Sequence, residues 1–159
     1  VDINPDMLAA GEGRAGRYDD PVHIRRICGD AESLPLPAGG HDAYTIAFGL
    51  RNVTDMDAAL REAYRVLRHG GRFLCLEFCP APALPLLDRI YRMYSDRVIP
   101  QLGQWVAGDT DSYRYLVESI RRFPDPDTLA ERISAAGFSR VRHRLLTGGI
   151  CAIHSGWKV

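Results

Sequence analysis

Asp42-Ala43-Tyr44-Thr45-Ile46-Ala47-Phe48-Gly49-Leu50 and Arg72-Phe73-Leu74-Cys75-Leu76-Glu77-Phe78 are two short, nearly continuous apolar runs. Runs of this length and composition predict strands buried on both faces. Between them, Ala59, Leu60, Ala63, Val66 and Leu67 recur at helical spacing, which predicts a helix over about Met56–Leu67. Thr54 or Asp55 is placed to cap its start, and Gly70-Gly71 to stop it. Strand, helix, strand in this order is the unit from which parallel α/β sheets are built.

Working outward, Val1–Ile3 reads as the end of a strand. Asn4-Pro5 punctuates it, and Asn4 or Asp6 caps a helix from about Pro5 to Gly13. Val22–Cys28 is expected to be a strand and Leu34-Pro35-Leu36-Pro37 a stiff extended connector. Beyond the central unit, Leu86–Val98 is amphipathic, with Leu87, Ile90, Tyr91 and Tyr94 on one face. Ser112–Arg121 reads as helix, and a last helix begins at Asp125-Pro126, carries Leu129, Ile133 and Ala136, and closes at Gly137. Arg140–Leu146 and Ile150–His154 alternate around Gly148-Gly149, a β-hairpin pattern. The expected fold is α/β, a mostly parallel sheet with a carboxyl-terminal antiparallel hairpin.

Composition narrows the function. The chain has 159 residues, enough for one domain, with 46% hydrophobic and 25% charged residues. Lys+Arg and Asp+Glu both total 20, so no one-signed field exists to attract nucleic acid or an anionic membrane. All basic residues except Lys158 are Arg, a bias that suits phosphate forks but, spread along the whole chain, reads better as codon usage. Cys75 and Cys79 lie in an apolar run with no neighbouring His or second Cys pair, so buried reduced thiols are expected, and no metal site. No apolar stretch approaches 18 residues and no leader pattern is present, so a soluble cytoplasmic protein without a membrane span is expected.

In open α/β sheets, ligands bind outside the carboxyl ends of the strands. Asp2 ends the first strand, where an acid accepts hydrogen bonds from ribose hydroxyls. Asp30, with Ala31 beside it, follows the second strand and can receive an adenine amino group. Leu50-Arg51-Asn52 follows the third and faces the same crevice. Each of these acids could equally serve as a turn or cap residue.

Taken together, Asp2-Ile3-Asn4-Pro5-Asp6-Met7-Leu8 and Gly29-Asp30-Ala31-Glu32-Ser33-Leu34-Pro35 resemble the second and third cofactor-binding segments of class I S-adenosylmethionine-dependent methyltransferases. Three further segments are similar to the ubiquinone/menaquinone biosynthesis C-methyltransferases. They are Phe48–Asp55, Ser112–Arg121 and Leu145–His154. The resemblance covers essentially the whole chain. It implies a class I methyltransferase-like (Rossmann-like) domain whose first strand and glycine-rich loop are missing here. Since the chain opens at Val1 without Met, it is expected to be the carboxyl-terminal two-thirds of a longer parent.

The resemblance also implies the chemistry: C-methylation of a polyprenylated benzoquinol or naphthoquinol, with S-adenosylmethionine as cofactor. Asp2, Asp30 and Ala31 are then the cofactor-binding residues, and Arg51 and Asn52 the catalytic ones. Arg51 either stabilises the developing phenolate or pairs with a nearby acid. Asn52 either positions a water or caps the following helix. Tyr113 and Tyr115 either line the substrate pocket or pack as a pair. Tyr91, Met93 and Tyr94 shelter the isoprenoid tail or form plain core or a partner surface. His154 is expected in the core or at an edge, and Glu77, at a strand end, could face the crevice but carries no assigned role. The implied partners are the quinol, a second copy or a quinone-biosynthesis complex, and peripheral contact with the inner membrane. A remnant acting as a non-catalytic scaffold in such a complex is the alternative.

Overall fold

The computed structural model describes residues 1–12, 24–80 and 110–159, with side chains described outside residues 12 and 110–113. In chain order the elements are α1 (Pro5–Glu12), β1 (His41–Ala47), a 3-10 turn (Leu50–Asn52), α2 (Met56–Val66), β2 (Leu67–Phe78), α3 (Thr110–Arg122), α4 (Pro126–Ala135), β3 (Ser139–Leu146), a second 3-10 turn (Thr147–Gly149) and β4 (Cys151–Trp157). The helix expected over Leu86–Val98, with Tyr91, Met93 and Tyr94, lies outside the described residues, as do Val22 and His23.

Four strands form one mixed sheet in the order β1-β2-β4-β3. β1 runs parallel to β2, with Ala43 opposite Arg72 and Ala47 opposite Leu76. β2 and β4 are antiparallel, from Arg72 opposite Trp157 to Phe78 opposite Cys151, and β3 closes the hairpin on β4. Along β2 burial alternates: Phe73, Cys75 and Glu77 are buried while Leu74, Leu76 and Phe78 are half-exposed. The buried face packs beneath α2 and α4. Leu60, Ala63, Phe73, Leu129, Ile133 and Phe138 are the centre of that core. Each large apolar side chain removed from water here contributes about 1.5–3 kcal/mol. Phe138 is held edge-on by Tyr64 at 5.1 Å and tilted against Phe73 at 4.9 Å. Tyr64 lies 3.1 Å from where a Cβ on Gly137 would stand, and φ there is +108°, so only glycine fits the turn.

Asp55 caps α2, its Oδ1 accepting Ala58 N–H at 3.0 Å. The far end of α2 departs from the glycine stop read in the sequence. The helix ends at Val66 because Leu67 is already extended (φ −73°, ψ 142°). Its last carbonyls are taken by tertiary donors, Lys158 Nζ on Tyr64 O at 2.8 Å and Gly39 N–H on Arg65 O at 2.9 Å. These partners replace a glycine cap. β2 accordingly starts at Leu67, five residues earlier than the apolar run suggests, and Gly70 and Gly71 exchange backbone hydrogen bonds with Lys158 inside it.

Two expectations are corrected. β1 is not buried on both faces: Tyr44 and Ile46 pack against the core, whereas Ala43, Thr45 and Ala47 are exposed. Among the described residues it pairs with β2 alone. A run of apolar residues signals burial only when both sheet faces are covered. Of the strand expected over Val22–Cys28, described residues 24–28 show one parallel bridge, between Asp2 and Cys28, made by Asp2 N–H to Ile27 O and Gly29 N–H to Asp2 O. All four cysteines are free thiols. Cys75 and Cys79 are buried as expected, Cys28 is exposed, and burial pushes the Cys79 thiol up to about 11.

His154 on β4 is 1% exposed. Its Nε2–H donates to Pro126 O at 2.9 Å at the start of α4, and Nδ1 is buried without a partner. Burial holds this imidazole below its ordinary value near 6.5, and the neighbouring His143 adds to the effect. The unfolded chain therefore takes up this proton at higher pH than the folded one. Stability from His154 is complete above about pH 6.5 and is lost as pH falls towards the depressed folded value. The melting temperature is expected to fall between pH 7 and pH 5, and less steeply in His154→Gln. Equal slopes in the two proteins would assign the acid sensitivity elsewhere.

Candidate functional site

β1 ends in a tight corner. Phe48 N–H still bonds to Leu76 O at 2.9 Å, but Phe48 itself takes φ +54°, a conformation costly for a bulky residue. The chain then turns through Leu50–Asn52, with Leu50 only 2% exposed as the anchor. This corner aims Arg51 back across the end of β2. Its Nη1 donates to Phe48 O, and to Glu77 Oε2 and Oε1 at 3.3 and 3.5 Å. The Arg51 backbone N–H also reaches Glu77 Oε1, at 3.3 Å, and the guanidinium lies 5.6 Å from the centre of the Phe78 ring. Pairing with a nearby acid is thus realised in the fold.

Glu77 is 1% exposed. Burial pushes its carboxyl upwards, opposed by the Arg51 charge and by the N–H groups of Arg51 and Phe78. On the other side of the corner, Tyr115 OH on α3 donates to Asn52 Oδ1 at 3.3 Å. Asn52 therefore does not cap α2, a role held by Asp55. Arg51, Met56, Tyr115, Arg122, Phe123 and Arg132 are among the walls of a cavity of about 510 Å³ between the corner, α3 and α4. Within it Arg122 pairs with Glu118 at 3.3 Å and Arg132 with Asp57 at 3.1 Å. Tyr113 is on α3 as expected, but its side chain lies outside the described ones.

A second group of residues gathers at the Asp2–Cys28 bridge. Asp2 Oδ1 accepts Asn4 N–H at 2.8 Å, and Asn4 in turn caps α1 through Asp6 N–H at 2.8 Å. Asp30 Oδ1 accepts Glu32 N–H at 2.9 Å in a turn closed by Ser33 N–H on Asp30 O at 3.1 Å. Ala31 packs against the core. Each carboxylate has one oxygen engaged in a local turn and one without a donor among the described residues. Glu32 joins the two groups: its Oε1 accepts Thr54 N–H at 2.6 Å and Asp55 N–H at 3.0 Å.

The site residues named from the sequence thus fall in two linked sets, Asp2 with Asp30 and Ala31, and Arg51 with Asn52 and Tyr115. The tether Glu32 is not among them, and Glu77, which the sequence leaves without a role, is the buried acid under Arg51. Glu77 had a legible signal, a carboxylate at the end of an otherwise apolar strand. Glu32 had none, because its bonds span 22 and 23 residues. No helix of the described residues is long and apolar enough to cross a membrane.

The sequence profile of the ubiE/COQ5 methyltransferase family matches residues 1–158. The ubiquinone/menaquinone biosynthesis C-methyltransferase UbiE of Methylobacterium nodulans is 62% identical over all of this chain and 62% of its own length. The protein of the same name from Caulobacter vibrioides is 55% identical over all of this chain and 61% of its own. The chain therefore spans about three-fifths of the length of these relatives. Among solved structures, a SAM-dependent methyltransferase from Aquifex aeolicus superposes with a TM-score of 0.65 at 13% identity, over 99% of this chain and 66% of that one. Human N-acetylserotonin methyltransferase, in complex with SAM, gives 0.62 at 22% identity over 99% of this chain and 39% of that one. These two likenesses show the class I methyltransferase fold, and with the profile match and the two relatives they establish that the chain belongs to the ubiE/COQ5 methyltransferase family.

Proposed function

We propose that residues 1–159 work within a single methyltransferase domain that methylates a ring carbon of a polyprenylated benzoquinol or naphthoquinol, with S-adenosylmethionine as donor. The observation that carries this reading is the convergence of Arg51 and Tyr115 on one cavity, with Asn52 bonded to Tyr115 and the corner tethered through Glu32 to the loop of Asp30, in a chain of this family. The donor set fits the cofactor's nucleoside half. Asp2 and Asp30 each retain a carboxylate oxygen for a ribose hydroxyl or an adenine amino group, and Ala31 offers an apolar contact. When bound, the cofactor supplies an electrophilic sulfonium methyl.

The chain's task is to make a ring carbon nucleophilic. A guanidinium is a cation with donors only, so Arg51 acts electrostatically. A phenolic oxygen beside its guanidinium is favoured as the phenolate, and that charge delocalises onto the ring carbon. Asn52, its amide oriented by Tyr115, holds the phenolic oxygen or a water that receives its proton. Orientation by these fixed groups replaces a bimolecular encounter with an in-line one. A polyprenyl tail favours work at the cytoplasmic face of a membrane, through peripheral contact. The test is transfer of a tritiated methyl group by the intact protein to demethylated benzoquinols and naphthoquinols, with mass analysis of the ring. A methylated ring carbon is expected; no product with either ring class overturns the reading.

A further inference from the structure

Glu77 sits where stability asks for an apolar residue. It follows Phe73 and Cys75 on the buried face of β2, and it is the only buried carboxylate among the described residues. An ionisable group in such a place costs stability against an apolar side chain of similar volume. Its contacts all lead to the corner. Both carboxylate oxygens face Arg51 Nη1, one also receives Arg51 N–H, and the other receives Phe78 N–H at 3.2 Å. Arg51 is thereby gripped at its backbone and at its guanidinium, with the Phe48 carbonyl and the Phe78 ring completing the seat. The strained φ of Phe48 belongs to the same seat, since it turns that carbonyl towards Nη1. An unbound Arg side chain would explore many rotamers, and fixing it before reaction removes that cost from the chemical step.

We infer that Glu77 is a positioning residue: it acts through Arg51, holding the guanidinium in the one orientation that faces the substrate cavity. This rests on the methyltransferase reading above. Glu77 itself touches no substrate.

The test uses the intact enzyme and four proteins: wild type, Glu77→Gln, Arg51→Ala and the double variant. Methyl transfer is read as tritium so that slow variants remain measurable. Glu77→Gln keeps the size and acceptor oxygen but loses the charge-assisted grip. Its kcat is expected to fall about tenfold, the weight of one such hydrogen bond, while KM for the quinol and calorimetric affinity for S-adenosylmethionine stay near wild type and the melting temperature falls, because the Arg51 charge loses its partner. In the Arg51→Ala background the same substitution is expected to lower kcat no further, because two groups acting as a unit are not additive. A tenfold fall in both backgrounds, or no fall in either, overturns the inference. Should Glu77→Gln not fold, Glu77→Asp keeps the charge and retracts the carboxylate by one methylene, with the same expectations. Failure of both to fold would make Glu77 a core residue and overturn the inference too. Absence of product from wild type would instead refute the methyltransferase reading, leaving the two failures distinct.

Discussion

Arg51→Ala is expected to lower kcat by about two to three orders of magnitude, the usual weight of a charge-stabilising donor in an enclosed site. The guanidinium is the one cation that the corner after β1 presents to the cavity. Without it the cations left in the cavity walls are Arg122 and Arg132, each already paired with a carboxylate. The substitution also strips Glu77 of its partner, and a buried carboxylate without its cation destabilises the fold or takes up a proton. The melting temperature should therefore fall as well. What separates chemistry from packing is the ratio of effects: cofactor affinity, measured by calorimetry, should change by less than about threefold. A loss of affinity matching the loss of turnover would reduce Arg51 to a structural residue. Arg51→Lys is expected to recover little, because a compact, strongly hydrated ammonium does not reproduce the planar guanidinium that lies over the Phe78 ring while Nη1 reaches Glu77 and the Phe48 carbonyl.

Asp2→Ala is expected to weaken S-adenosylmethionine binding by about 10- to 100-fold, the equivalent of one or two hydrogen bonds to a charged acceptor. Two causes contribute. The ribose hydroxyls lose their acceptor, and Asn4 N–H loses the oxygen that shapes the turn into α1. Asp2→Asn separates them, since its amide oxygen can keep the turn while the charge is gone. Affinity for the Asn variant is expected to fall between wild type and Ala. Calorimetry on the intact protein decides it, and unchanged affinity in Asp2→Ala would remove Asp2 from the cofactor site.

The local elements were readable because their causes are local. The stripe Ala59, Leu60, Ala63 and Val66 faces the core as its spacing requires. Asp125 caps α4 through Asp127 and Thr128 N–H, and the Gly148-Gly149 turn joins β3 to β4 because both glycines adopt positive φ. The misreadings have a common origin. β1 looks doubly buried because Ala43, Ile46 and Ala47 are apolar, but burial depends on what covers a face, and a run of letters carries no record of that. Likewise the end of α2 depends on Lys158, 94 residues from the carbonyl it caps.

The candidate site divides along the same line. By itself the sequence determined the element order of the strand-helix-strand unit and the hairpin, and it placed Arg51 and Asn52 after a strand end. These follow from periodicity, capping and turn chemistry within a few residues. Only the tertiary structure decided what those residues touch. It put Glu77 under Arg51, Tyr115 against Asn52 and Glu32 between the two loops. Each of these contacts joins segments 22 to 63 residues apart. The Arg51–Glu77 contact forms because the parallel β1–β2 pairing brings two strand ends side by side, and in all three, hydrogen bonds of a few ångströms select partners that sequence distance conceals.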